Sequence, residues 1–166
     1  MDWDKDDERR NSDFSERQGN QMLHNKMGRG KVSVLIKRSA LIFDKYANQL
    51  LTPYQLTSSQ FRILMILYKA PVRSVRQVDI ESAFSMTNPT VTGLIQKLEK
   101  SGLVKRVANP EDKRSKLLEL TEYAESKREE FIALADSLEQ EMTEGLSETE
   151  VNMLAELLNK VIEKHN

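Results

Sequence analysis

The feature of this chain that most constrains its fold is a turn at residues 85–89 with a helix start built into it. Thr87 or Asn88 can cap the first helical turn, and Pro89 is tolerated there. The apolar residues that follow lie at i, i+3, i+4 and i+7, and they are Val91, Leu94, Ile95 and Leu98. This spacing predicts a helix with one buried face.

The segments on either side of this helix complete a pattern. Residues 75–84 predict a short helix whose inward side chains are Val78, Ile80 and Phe84. Gly102 suits the end of the second helix, and residues 103–107 and 116–120 are β-compatible runs joined by turn-forming residues. Helix, turn, helix and hairpin is the order of a winged helix-turn-helix, in which the second helix enters a major groove.

Further helices are predicted toward both ends of the chain. From Lys31, apolar residues recur at helical spacing until Pro53, and they include Leu35, Ile36, Ile42, Phe43, Tyr46 and Leu50. Residues 57–60 have the spacing of a capping box and start a helix that ends before Pro71. Thr121 caps a long helix, and residues 147–150 open a last helix that places Val151, Leu154, Leu157, Leu158, Val161 and Ile162 inside.

We therefore predict a mainly α fold, in which a winged helix-turn-helix with a small β-hairpin wing is joined to N- and C-terminal helices that form a dimerisation region. Residues 1–30 are a polar tail that we expect to be disordered. Residues 31–56 form the N-terminal dimerisation helix, residues 57–121 the DNA-binding domain, and residues 122–166 the C-terminal dimerisation helices. The terminal helices carry apolar stripes that a small winged domain cannot cover alone.

Charge is divided along the chain, although the formal net charge is only −1. Residues 57–121 hold eleven basic and six acidic side chains, whereas residues 122–166 hold four basic and twelve acidic ones. A basic block beside an acidic block indicates that one part of the chain meets a polyanion and the other does not.

The polar face of the predicted recognition helix carries Thr90, Thr92, Gly93, Gln96, Lys97 and Lys100. Glutamine can read an adenine edge, threonine can contact an edge or a thymine methyl, and lysine can bind phosphate or guanine. Any solvated helix can carry such residues, so the hairpin tip is the stronger signal for DNA.

The hairpin tip places three basic residues within the five positions 112–116. Asp112 can orient the Arg114 side chain through a charge-assisted hydrogen bond, and a guanidinium at this place suits a narrow minor groove. The predicted DNA contacts are Thr87, Asn88, Pro89, Thr90, Thr92, Gly93, Gln96, Lys97, Asp112, Lys113, Arg114, Ser115 and Lys116.

From about Val32 to its end, the chain resembles the MarR family of winged helix-turn-helix transcriptional regulators. Four segments carry the resemblance in order: LTSSQ at 56–60, NPTVT at 88–92, LEKSGLV at 98–104, and DKRSK at 112–116 with Leu120-Thr121 after it. No one of them is specific by itself, but four ordered matches at the expected separations are.

The resemblance implies an obligate homodimer that places two winged helices on a palindromic operator in double-stranded DNA, and we predict a repressor. It also implies that Arg114 enters the minor groove, that Asp112 supports it, and that Thr90 and Thr92 contact DNA. Many members are released from DNA by a small aromatic or phenolic effector bound in a crevice between the dimer and DNA-binding regions. Others sense oxidants through cysteine, which this chain lacks.

The residue inventory argues against an enzyme. The chain has no cysteine, and its two histidines, His24 and His165, lie near the termini, where solvated side chains are the simplest interpretation and a metal site in a dimer is the alternative. Glycine-rich phosphate loops and HExxH motifs do not occur in the sequence. We predict no cofactor, no resident metal and no catalytic residues.

Two alternatives remain at this point. A winged-helix module that binds proteins rather than DNA would not need Arg114 beside Lys113 and Lys116. Aromatic residues such as Phe43, Tyr46 and Phe61 could line an effector crevice, but aromatic side chains at helical spacing more often form core.

The sequence contains no long apolar run and no signal peptide, so we expect a cytoplasmic protein without membrane contact.

Overall fold

Helices dominate the part of the chain that the computed structural model describes, which is residues 31–112 and 114–164. In chain order the elements are α1 (Val32–Leu51), α2 (Ser58–Lys69), β1 (Val75–Arg76), α3 (Gln77–Phe84), α4 (Asn88–Lys100), β2 (Val104–Ala108), β3 (Lys116–Leu120), α5 (Glu122–Ser126), α6 (Arg128–Thr143) and α7 (Glu148–Glu163). The predicted fold class is confirmed. The predicted tail, Lys113 and His165 lie outside the described residues.

The starts of α2 and α7 lie where capping chemistry predicts them. The Thr57 amide donates to Gln60 Oε1 at 2.9 Å, and the Gln60 amide donates to Thr57 Oγ1 at 3.4 Å. Ser147 and Glu150 form the same reciprocal pair at the start of α7. Each pair satisfies amides that a helix start would otherwise leave without partners.

The sheet has three antiparallel strands in the order β1-β3-β2. The predicted hairpin is confirmed, with Val104 opposite Leu120 and Ala108 opposite Lys116. The helix predicted over residues 75–84 is wrong at its start, because Val75 and Arg76 pair with β3 as an edge strand and α3 begins only at Gln77.

Two of the three side chains predicted to point inward from α3 do so. Ile80 is fully buried and Phe84 is half-buried, with the Arg62 guanidinium 4.1 Å from the centre of its ring. Val78 is exposed, which contradicts its predicted inward position. With β1 at residues 75–76, Val78 is the second residue of a short helix that buries Ile80 as its single fully enclosed side chain.

The long helix predicted after Thr121 is broken at Lys127. Thr121 Oγ1 accepts from the Ala124 amide at 3.1 Å, so the predicted cap is confirmed. The Ala124 carbonyl accepts hydrogen bonds from the Lys127 amide and from the Tyr68 hydroxyl, and the tightened turn ends α5. α6 then begins at Arg128.

The core lies between α2, α4, the sheet and the start of α6. Of the predicted stripe on α4, Val91, Ile95 and Leu98 are fully buried, and Leu94 is half-buried. Phe131 of α6 is buried edge-on against the rings of Tyr54, Phe61 and Tyr68 at centroid distances of 5.3, 6.0 and 6.4 Å. This packing holds α6 on α2, the helix that precedes the predicted DNA-binding elements.

The described part of the chain divides into two units between Ile42 and Phe43. In the first unit, the first half of α1 exposes Leu35, Ile36 and Ile42. In the second unit, α7 buries no side chain fully. The inside positions predicted for Leu154, Leu157, Val161 and Ile162 are therefore wrong for a single chain, in which all four are exposed.

Candidate nucleic-acid interface

The recognition helix α4 starts at the predicted turn. Thr87 is the residue before its first turn and Pro89 lies within that turn. The Thr87 hydroxyl shares a hydrogen bond of 2.9 Å with the Thr90 hydroxyl instead of capping a backbone amide, which is where the structure departs from the predicted side-chain cap. The first turn of α4 thus carries two linked hydroxyls on an exposed surface.

The polar residues predicted on α4 differ in how freely they face solvent. The exposed ones are Thr87, Asn88, Pro89, Thr90, Gln96, Lys97 and Lys100. Thr92 and Gly93 are half-buried. Thr92 Oγ1 accepts a hydrogen bond of 2.8 Å from Gln77 Nε2, so the Thr92 hydroxyl already serves a contact between α3 and α4.

The tip of the wing is held by its own short polar side chains. Asn109 donates from Nδ2 to Ser115 Oγ at 2.8 Å and accepts from the Glu111 amide at 3.0 Å. Asp112 Oδ1 accepts from the backbone amide of Arg114 at 2.9 Å. We predicted a bond from Asp112 to the Arg114 guanidinium, whereas the observed bond orients the backbone from which that side chain projects.

A cleft lies between the wing and the helix-turn-helix. It is lined by predicted contact residues from both the wing and the recognition helix. From the wing it is lined by Arg114, Ser115 and Lys116, and from the start of α4 by Asn88. Four cationic side chains line it, namely Arg76, Arg106, Arg114 and Lys116. This surface suits a polyanion, because clustered positive charges raise the local concentration of phosphate groups.

Six residues that line this cleft were not predicted as site residues from the sequence, the polar Arg76, Gln77, Glu81 and Arg106 and the apolar Val78 and Leu118. In the sequence, Arg76 and Arg106 count only toward the positive charge of residues 57–121, and no local pattern marks Gln77 or Glu81 as a site residue. The spacing of Arg76 and Asp79 was the one local signal for this corner of the site. They form an ion pair three residues apart at 2.7 Å.

The pair formed by Arg76 and Asp79 secures the start of α3. The guanidinium donates from Nη2 to Asp79 Oδ1 at 2.7 Å, and the Arg76 amide donates to Asp79 Oδ2 at 2.7 Å. The pKa of the Asp79 carboxyl is lowered, and the hydrogen bond from the Arg76 side chain is the largest cause of this shift. The carboxylate, three residues into the helix start, therefore satisfies the amide of the N-cap residue Arg76, which lines one edge of the cleft.

A polar network ties α3, α4 and β2 together beneath the cleft. Gln77 Nε2 donates to Thr92 Oγ1 at 2.8 Å and to Glu81 Oε1 at 3.0 Å. Arg106 donates to Gln77 Oε1 at 3.4 Å and to Glu99 Oε2 at 2.5 Å. The wing strand and the recognition helix are thereby joined through side chains as well as through the core.

Within residues 31–112 and 114–164, no group of histidine, aspartate and glutamate side chains is arranged to hold a metal ion. Over the same residues, no helix is long and apolar enough to cross a membrane. What the cleft offers is a helix with exposed hydroxyl, amide and ammonium groups beside a wing with a guanidinium, which are the groups that read and bind duplex DNA.

Comparisons with known proteins agree with this geometry. The model of the MarR family matches residues 56–116, which run from just before α2 to the start of β3. The multiple antibiotic resistance protein MarR of Escherichia coli is 32% identical over 120 residues, which span 72% of this chain and 82% of that protein.

Solved structures with the same fold include one bound to DNA. The MepR–DNA complex from S. aureus superposes with a TM-score of 0.72 and 29% identity, over 81% of this chain and 98% of that one. BpsR of Bordetella bronchiseptica, described with regulation of its DNA binding by 6-hydroxynicotinic acid, superposes with a TM-score of 0.70 and 26% identity, over 80% and 93% of the two chains.

Proposed function

The chain is a DNA-binding transcriptional regulator of the MarR family, and we propose that it represses transcription as a homodimer bound to a palindromic operator. The observation that carries this proposal is the cleft in which Arg114 of the wing and Asn88 of the recognition helix lie together among four cationic side chains. One duplex can contact both elements at once.

The residues that we propose as DNA contacts are those predicted from the sequence. On α4 they are Thr87, Asn88, Pro89, Thr90, Thr92, Gly93, Gln96 and Lys97, and on the wing they are Asp112, Lys113, Arg114, Ser115 and Lys116. Thr92 and Asp112 act in part through neighbours, because each already makes a hydrogen bond within the protein. Arg114 occupies the minor groove, where negative potential is concentrated in narrow tracts.

Dimerisation is supported by the apolar side chains exposed on α7. Met153, Leu154, Leu157, Val161 and Ile162 are all at least 42% exposed. A soluble chain that leaves such a stripe uncovered gains by burying it against a partner. A two-fold pair also covers two half-sites about one helical turn apart, which accounts for a palindromic operator.

An effector of the small aromatic or phenolic class is part of the proposal. The reported regulation of the DNA binding of BpsR by 6-hydroxynicotinic acid supports this class. An aromatic acid that binds the free protein more tightly than the DNA-bound protein would release the operator. A ligand shifts the equilibrium between two states by the difference in its affinity for them.

The function is tested by selecting duplexes from a random library with the full chain. We expect the selected duplexes to share an inverted repeat and to bind more weakly as salt increases. A reporter promoter that carries the repeat should be silenced by the protein, and a panel of aromatic acids should restore its activity. Retention of random and selected duplexes to the same weak extent would contradict the proposal.

Gly93→Ala is expected to stabilise the protein and to weaken its binding to the operator. Glycine inside a helix costs about 1 kcal/mol relative to alanine. A Cβ at Gly93 would meet nothing within 4 Å in the protein, so stability should rise by about 0.5–1 kcal/mol. Thermal unfolding and gel shifts measure the two effects. Unchanged operator affinity would show that no DNA group approaches Gly93 closely.

A further inference from the structure

We propose that Glu81 determines base specificity by holding the side-chain amide of Asn88 in one orientation toward the major groove, and that it also weakens binding to unrelated DNA. This inference rests on the proposed DNA-binding function. It concerns a residue of α3 that is half-buried and lies at the edge of the cleft.

Glu81 holds Asn88 directly. Asn88 Nδ2 donates to Glu81 Oε1 at 2.7 Å, which is a short bond to a carboxylate. Asn88 is the first residue of α4, so its side chain lies at the end of the recognition helix that faces the wing across the cleft. Rotation of the Asn88 amide would break a bond stronger than an ordinary one between neutral groups.

Glu81 is in turn held by the network beneath it. Gln77 Nε2 donates to the same carboxylate oxygen at 3.0 Å. The Gln77 side chain is fixed by Thr92 on α4 and by Arg106 on β2. The carboxylate therefore has a defined position relative to the recognition helix and the wing strand, and its hydrogen bond fixes the Asn88 amide in the same frame.

The chemistry of a carboxylate selects one end of the amide. An ionised carboxylate only accepts hydrogen bonds, so it binds the nitrogen of Asn88 and rejects the carbonyl oxygen. The carbonyl oxygen and the second N–H of Asn88 then remain for a base. An asparagine that offers one acceptor and one donor side by side matches N6 and N7 of adenine. We infer that Asn88 reads an adenine and that Glu81 is its positioning residue.

Electrostatics gives Glu81 a second effect. The two hydrogen bonds described for its carboxylate come from neutral amides, so these donors do not cancel its negative charge. Phosphate contacts supply almost all of the affinity for unrelated DNA, and a negative charge in the cleft opposes them. Glu81 therefore lowers affinity for every duplex, and the Asn88 contact compensates for this only on the correct sequence.

The test compares base preferences selected from a random duplex library by the full-length protein and its variants. Glu81→Met removes the acceptor at similar length, Glu81→Gln keeps an acceptor oxygen without the charge, and Asn88→Ala removes the reading group. Glu129→Gln, at an exposed position on α6, is the matched control. Affinity for a random duplex of fixed length is measured in parallel, and circular dichroism verifies folding.

We expect Glu81→Met and Asn88→Ala to lose preference at the same operator position, with the ratio of specific to random affinity about tenfold lower. In Glu81→Met and Glu81→Gln, affinity for the random duplex should rise about two- to fivefold. Glu81→Gln should retain the base preference, and Glu129→Gln should change neither quantity. A purely structural role for Glu81 would not raise the affinity for random DNA.

An unchanged base preference in a folded Glu81→Met protein would overturn the inference, and so would equal losses on selected and random duplexes. If Glu81→Met does not fold, Glu81→Gln decides, because an unchanged affinity for random DNA would also overturn it. If the unmodified protein selects no sequence at all, the proposed function fails and the inference fails with it. That outcome is distinct, because it appears before any variant is compared.

Discussion

Leu157→Asp is expected to convert the protein from a dimer to a monomer and to weaken operator binding about a hundredfold or more, because binding would lose the gain from two linked half-sites. Leu157 is 54% exposed on α7, and Leu154 and Val161 lie three and four residues away on the same helix face. A carboxylate within an apolar interface loses its hydration without a partner. Light scattering measures the mass, and gel shifts measure the affinity.

Asn159→Asp is the matched control for this variant. It adds the same charge to α7 two residues further on, where the helical period places it on nearly the opposite side. It should remain dimeric and bind the operator normally. A dimeric Leu157→Asp protein with full operator affinity would show that this stripe is not the interface.

Arg114→Ala is expected to weaken operator binding by about 1–3 kcal/mol and to leave the melting temperature nearly unchanged. Arg114 is exposed at the wing tip and lines the cleft beside the recognition helix, so its side chain contributes to contacts more than to the core. Titration of a fluorescent operator and thermal unfolding of the free protein measure the two quantities. A large fall in the melting temperature would contradict the proposed role.

The neighbouring Asp112 provides a control on how Arg114 is presented. Asp112 accepts from the Arg114 amide, so Asp112→Ala should weaken binding by less than Arg114→Ala and should add little in the double variant. Asp112→Asn keeps an acceptor oxygen and should bind nearly normally. Additive losses would show that Asp112 acts independently of the wing arginine.

The starts of α2 and α7 and the hairpin could be predicted because their causes are local. Thr57 and Gln60 are three residues apart, and so are Ser147 and Glu150, so each capping pair is visible in the sequence itself. The buried stripe of α4 follows from helical spacing alone, and it was correct for the three fully buried members of its four residues. Local order and periodicity thus determined these helix starts, the hairpin and the orientation of the recognition helix.

The tertiary structure decided the local structure at places where a distant residue binds the backbone. Val75 and Arg76 become a strand only because β3 offers an edge more than forty positions later in the chain. α5 ends near Lys127 where the Tyr68 hydroxyl binds the Ala124 carbonyl from a different helix. Neither partner is visible in a short window of sequence.

The candidate site shows the same division. Sequence alone determined that α4 carries polar groups and that the wing is basic, because helical period and local charge require no partner. Only the fold brought Gln77, Glu81 and Arg106 beneath the residues predicted to contact DNA, through hydrogen bonds that span up to 29 positions. A side-chain network depends on distances between elements, and those distances are set by the packing of the whole core.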